Sequence, residues 1–105
     1  MNHSIGLNEA TILEILGQCG ESTIGDIAQR TELVRAISEG AIYVALQRMI
    51  SRGFVSIRKN KAVSADGRER EIGFYTISGD GMRVVDEYRL AANAFTKLRT
   101  ALGMA

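Results

Sequence analysis

The sequence contains no proline and no tryptophan, one cysteine and one histidine. No apolar run in it approaches the roughly 20 residues that a membrane-spanning helix needs. Each absence removes a class of function. With Cys19 alone, neither an internal disulfide nor a CxxC metal pair can form, and no basic residue flanks Cys19 to make its thiol reactive, so it is expected as a small, reduced core residue. His3, in a short N-terminal arm, is the only histidine, which leaves no basis for a His-centred triad or a zinc site. Any stacking site must rely on Tyr or Phe. Gly79-Asp80-Gly81 has neither the lysine nor the spacing of a phosphate-binding loop. Asp86 and Glu87 are adjacent, so a helix points them in different directions, as on a solvated face. No enzyme, metal or cofactor is expected. The N-terminus lacks the basic region and apolar stretch of a signal peptide, which makes the cytoplasm the expected compartment.

What is present is an uneven distribution of charge. The net charge of the 105 residues is only +1. Residues 1–39 carry Arg30 and Arg35 against Glu9, Glu14, Glu21, Asp26, Glu32 and Glu39, a net of −4. Residues 40–70 carry Arg48, Arg52, Arg58, Lys59, Lys61, Arg68 and Arg70 against Asp66 and Glu69, a net of +5, and the remainder is neutral. One basic stretch in a nearly neutral chain is the asymmetry expected where a single face meets a polyanion, although a solvated basic surface gives the same numbers.

The order of elements can be read along the chain. Asn8 is placed to cap a first helix whose stripe is Ile12, Leu13 and Leu16, ending near residues 17–20. Thr23 opens a second, with Asp26 as its reciprocal capping partner and Ile24, Ile27 and Ala28 facing inward. Leu33, Val34 and Ile37 are expected to seal the connection beneath a third helix. That helix is capped by Ser38 and stopped by Gly53; Ile42, Ala45, Leu46 and Met49 form its buried stripe and Gln47, Arg48 and Ser51 lie opposite. Residues 54–58 and 70–77 then have strand composition, and the polar run between them, with its Asp66-Gly67 signal, suggests a hairpin with a long tip. Gly73 marks either a bulge or a close approach. Ser78 caps a last helix over residues 79–102, where Val84, Tyr88, Ala91, Phe95, Leu98 and Leu102 are spaced 4, 3, 4, 3 and 4. That spacing is a heptad seam about 27 Å long at 1.5 Å per residue. Its partner is either the first helix or the same helix of a second subunit, and a homodimer is favoured because so long an apolar edge would be sticky in a monomer.

Three helices followed by a hairpin make an α+β fold, the winged helix-turn-helix. Residues 1–78 are expected to form the winged domain and residues 79–105 the dimerisation helix. The segment SEGAIYVALQRMISRGFVSI resembles the signature of the PadR family of winged-helix transcriptional regulators at Gly40, Ala41, Ile42, Tyr43, Ala45, Leu46, Arg48, Met49, Gly53, Phe54 and Val55. REREIGFYTISGDG is similar to the family's second wing strand and the start of its last helix. Two positions depart from the pattern: Val44 stands where the family has proline, and residues 24–27 differ from its Gly-Tyr-Glu-Ile. These departures leave the MarR-like winged helices as a neighbouring alternative. The resemblance implies a dimeric DNA-binding repressor or activator joined through the last helix, with effector binding in some members near the dimer interface, where Tyr88 and Phe95 are the available aromatics. Ordinary interface packing is the preferred reading of those two residues, because aromatics on a seam are normally buried against one another.

The residues lead to the same expectation independently. Gly40, Val44, Gln47, Arg48 and Ser51 share the outward arc of the third helix, with Tyr43 at its margin. Gln47 suits adenine, Arg48 guanine and Val44 a thymine methyl, while Ser38 and Tyr43 suit phosphate. Arg58, Lys59, Lys61, Arg68 and Arg70 of the hairpin are expected to meet the flanking backbone or minor groove. The reading is a regulator, with a winged-helix protein-interaction module as its rival.

Overall fold

In the computed structural model, which describes residues 5–103, the order is α1 (Leu7–Cys19), α2 (Ile24–Thr31), α3 (Glu39–Ser51), β1 (Val55–Val63), β2 (Glu69–Ile77) and α4 (Gly79–Ala101). His3 lies outside the described residues. This is the winged helix-turn-helix with a long last helix, as expected. No helix among the described residues is long and apolar enough to cross a membrane.

α1 starts before the expected cap. Glu9 reaches back to accept the Gly6 N–H at 3.1 Å, which makes Gly6 the N-cap and puts Asn8 inside the first turn. Ile12, Leu13 and Leu16 are buried, and the helix stops where Gly20 takes φ +78° and donates its N–H to the Leu16 carbonyl. Cys19, expected in the core, is exposed, because it is the last helical residue and lies past the turns that the rest of the chain covers. α2 has the reciprocal cap read from the sequence: the Asp26 N–H donates to Thr23 Oγ1 at 3.1 Å, and the Thr23 N–H to Asp26 Oδ2 at 3.2 Å.

The connection between α2 and α3 differs from expectation. The Thr31 carbonyl accepts the N–H groups of Val34 and Arg35 at 3.0 and 2.8 Å, a tight turn that sends Leu33 and Val34 outward, 87% and 80% exposed. Only Ile37 goes inward. α3 then forms as read, with Ser38 Oγ accepting the Ala41 N–H at 3.1 Å and Ile42, Ala45, Leu46 and Met49 buried against α1 and α2.

The strands of the hairpin run further than their composition suggests. β1 continues through Lys59 and Lys61 to Val63, in antiparallel register with β2 from Val55 opposite Ile77 to Val63 opposite Glu69. The expected long tip shrinks to residues 64–68. Glu71 stands opposite Lys61 and pairs with Lys59 at 3.5 Å, so the cross-strand charges are matched and the ladder is preserved. The turn has Gly67 at φ +81°, with the Arg68 N–H donating to Asp66 Oδ1 at 3.1 Å. The other edge of β2 is tied to the α1–α2 loop, where Ser22 and Tyr75 exchange backbone hydrogen bonds of 3.0 and 2.8 Å. Gly73 is a close approach and not a bulge. The register runs through it unbroken, and a Cβ there would lie 3.1 Å from Ile57 Cδ1 and 3.3 Å from the Tyr75 ring.

Ser78 joins the wing to α4. Its N–H donates to the Phe54 carbonyl at 2.9 Å, its hydroxyl donates to the Gly53 carbonyl at 2.6 Å, and the same oxygen accepts the Gly81 N–H at 3.0 Å as the α4 cap. The Phe54 carbonyl sits where Gly81 would carry a Cβ, and Ile77 Cγ1 would be only 2.8 Å away. α4 packs beside α1 over its first half, with Arg89 bridging Glu14 at 2.5 Å. Val84, at the head of the seam, is buried in the chain's own core and Tyr88 is half-buried. Ala91, Phe95, Leu98 and Leu102 are exposed on the part of α4 that projects away from the other elements.

Gly81→Ala should therefore lower stability by about 1–3 kcal/mol or more, as overpacking does. Gly79→Ala, which meets nothing within 4 Å, should be neutral or raise it by up to about 1 kcal/mol. Urea unfolding of the two variants checks both.

Candidate nucleic-acid interface

The outward arc of α3 is exposed along its length. Ser38, Gly40, Tyr43, Val44, Gln47, Arg48 and Ser51 all lie on it, as helical periodicity placed them. The arc is flanked by two grooves. On the wing side Tyr43 and Gln47 face Lys59, Glu71, Gly73 and Tyr75 across a space of about 410 Å³. On the other side Gly40, Val44 and Arg48 face Arg35 and the first turn of α1 across about 560 Å³.

The wing residues divide between the two faces of the hairpin, because neighbours along a strand point to opposite sides. Lys59 and Lys61 share the α3 side with Ile57, Gly73 and Tyr75. Arg58 and Arg70 are on the other. Arg58 is held there by Glu21 in a two-pronged contact, Nη2 to Oε1 at 2.9 Å and Nε to Oε2 at 3.3 Å, and its guanidinium lies 4.6 Å from the centre of the Phe74 ring. The Arg58 side chain pulls the Glu21 carboxyl below its ordinary value, first by hydrogen bonding and then by charge. Glu21 in turn holds Arg58 above its own ordinary value. At the tip, Arg68 lies 3.8 Å from Asp66, whose carboxyl is lowered by the hydrogen bond from the Ser64 hydroxyl and then by the Arg68 N–H. The Tyr75 phenol, between wing and α3, is raised by burial.

Much of the sequence's basic charge is thus compensated internally. Among the described residues, the side chains of Arg35, Arg48, Lys61 and Arg70 take part in no ion pair. Arg35 was not singled out by sequence reasoning. Its position two residues before the inward Ile37, in the turn of the helix-turn-helix, was the available signal. Glu21 was also missed, since nothing local links it to a residue 37 positions away.

A third hollow, apolar and about 350 Å³, runs between α1 and α4 and is lined by Leu7, Thr11, Ile15, Val34, Tyr88 and Ala92 among others. Tyr88 borders it. Phe95 does not.

This combination of a helix-turn-helix, a two-stranded wing and a protruding terminal helix defines a winged helix-turn-helix protein. Solved structures narrow the description. A PadR family transcription regulator from Clostridium difficile R20291 superposes with a TM-score of 0.77 at 19% identity, covering 92% of this chain and 98% of that one. Bacillus subtilis PadR in complex with operator DNA matches at TM-score 0.69 and 21% identity, over 79% of this chain and 47% of that one. Bordetella bronchiseptica BpsR, whose DNA binding is regulated by 6-hydroxynicotinic acid, matches at 0.71 and 19%, over 90% and 61%. No family model and no curated protein matches the sequence. The fold is that of the PadR-like winged-helix regulators.

The Glu21–Arg58 contact yields a test with a defined sign. A carboxyl lowered by its folded partner stabilises the fold fully above its ordinary value of 4.5, and the contribution is lost as pH falls through the lower folded value. Glu21→Gln should therefore flatten the acid side of the stability curve, measured by denaturant unfolding across that range. Glu21→Gln and Arg58→Ala together should cost less than the sum of the single changes.

Proposed function

We propose that the chain is a sequence-specific, DNA-binding transcriptional regulator of the cytoplasm. It acts as a homodimer on a near-palindromic operator and represses by occupancy. The observation that carries the reading is the exposed outer arc of α3, bounded by a groove on each side and backed by the wing. Gln47 has the amide geometry for the N6 and N7 positions of adenine, Arg48 the fork for guanine, and Val44 the small apolar surface for a thymine methyl. Ser38, Gly40, Tyr43 and Ser51 line the approach to phosphate. Lys59, Lys61, Arg68 and Arg70 supply the wing's share of backbone contacts, while Arg58 acts through Glu21 to hold the wing at its angle.

Residues 1–78 act as the reading domain and residues 79–105 as the dimerisation helix. Phe95 is 62% and Leu98 53% exposed, and with Ala91 and Leu102 they make an apolar edge that nothing among the described residues covers. Pairing of this edge with a second copy brings two α3 helices to successive major grooves, about 34 Å apart. Tyr88 extends the same edge toward the hollow between α1 and α4, which is of a size to take a small apolar effector. The reading is supported by the fold shared with PadR bound to operator DNA and with BpsR, whose DNA binding responds to a small aromatic acid.

Selection of bound sites from random duplexes should return a palindromic consensus, with affinity falling steeply as salt rises. Gln47→Ala should relax the consensus at one base pair per half-site at a cost of about 1–3 kcal/mol. Phe95→Glu with Leu98→Glu should give a monomer by light scattering and lose the palindrome. A single stoichiometric protein partner, with no duplex binding at low salt, would instead identify a protein-interaction module.

A further inference from the structure

The major groove of B-DNA is about 12 Å wide, and an α-helix with its side chains is about 10–12 Å across. A helix seated in that groove therefore has a phosphate strand rising on each side. α3 has a wing on one flank only, with Tyr43, Lys59 and Lys61 facing that strand. The opposite flank is the groove of about 560 Å³ against the first turn of α1, bordered by Arg35, which the sequence did not single out.

Its chemistry suits a polyanion. Arg35 and Arg48 border it, both exposed, and among the described residues neither guanidinium has an ion-pair partner. Gly40 leaves its floor open, since a Cβ there would meet nothing within 4 Å. The one carboxylate on its edge, Glu9, is largely buried and turned toward the α1 cap and Arg52. Its side chain is only 14% exposed, Oε1 accepts the Gly6 N–H at 3.1 Å, and Oε2, which accepts no hydrogen bond among the described residues, is buried 4.0 Å from Arg52 Nη1. The tight turn on the Thr31 carbonyl sets where Arg35 stands, through the Arg35 N–H bond of 2.8 Å.

We infer that Arg35 seats the second sugar–phosphate strand of the duplex, so that α3 is held from both flanks and not from the wing alone. The inference rests on the DNA-binding reading. A guanidinium makes forked, charge-assisted hydrogen bonds to phosphate oxygens. Such a contact fixes register and strength and carries no base preference. Arg48, rooted on α3 beside the same groove, adds positive charge there.

The test uses the full chain and duplexes bearing the selected site or unrelated sequence, titrated across a salt series. Arg35→Ala should weaken binding several-fold on both duplexes, reduce the slope of log affinity against log salt by about 1, and leave the selected consensus unchanged. Arg35→Lys should retain the slope, and both variants should keep the wild-type unfolding midpoint. Unaltered affinity and slope in Arg35→Ala, or a changed consensus, would overturn the inference while leaving DNA binding intact. Absence of duplex binding by the wild-type chain would overturn the underlying reading as well.

Discussion

The contacts that join α3, the wing and α4 converge on the Phe54 carbonyl. The Phe54 N–H closes the end of α3 by bonding the Met49 carbonyl at 2.8 Å, after Gly53 has turned the chain at φ +79°. Its own carbonyl accepts the Ser78 N–H and fills the space that a side chain on Gly81 would need. The hydroxyl of Ser78 spans from the Gly53 carbonyl to the Gly81 N–H. The end of α3, the start of β1, the end of β2 and the start of α4 therefore meet within one cluster of hydrogen bonds. Under the proposed function a two-fold reader needs a fixed relation between α3 and α4, and this cluster is what would supply it.

Charge in the folded chain is arranged differently from charge along the sequence. Glu21, from the acidic first third, crosses to Arg58 of the basic middle, and Glu14 crosses from α1 to Arg89 on α4. Lys59 and Arg68 find carboxylates inside the hairpin. These exposed pairs each contribute little to stability on their own. Their larger effect is on distribution: Arg58, Lys59 and Arg68 each have a carboxylate partner, whereas among the described residues Arg35 and Arg48 on one flank of α3, and Lys61 and Arg70 on the wing, have none.

The parts legible in the sequence were those whose cause is local. Thr23 with Asp26, Ser38 and Ser78 are caps whose hydrogen bonds close within three residues, and the α3 stripe follows from 3.6-residue periodicity. The failures have equally specific reasons. Leu33 and Val34 are apolar, but a turn on the Thr31 carbonyl directs them outward, and hydropathy says nothing of chain path. Asn8 is a good capping residue that was outcompeted by Glu9 reaching back to Gly6. Lys59 and Lys61 are poor strand formers by composition and become strand because Glu71 answers them across the ladder. The α3 arc of the candidate site was readable for the same periodic reason as its core. Arg35 and Glu21 were not, because their roles depend on which distant elements come to stand beside them.

We propose that one rigid junction fixes two copies of α3 at the spacing of successive major grooves. Affinity measured on duplexes carrying two half-sites, with the distance between them varied, tests it most directly. Tight binding is expected when the half-sites are one helical turn apart, about 10 base pairs centre to centre, and a large loss when about 5 base pairs are inserted and the second half-site turns to the opposite side of the duplex. Equal affinity at both spacings, or equal affinity for a single half-site, would contradict it.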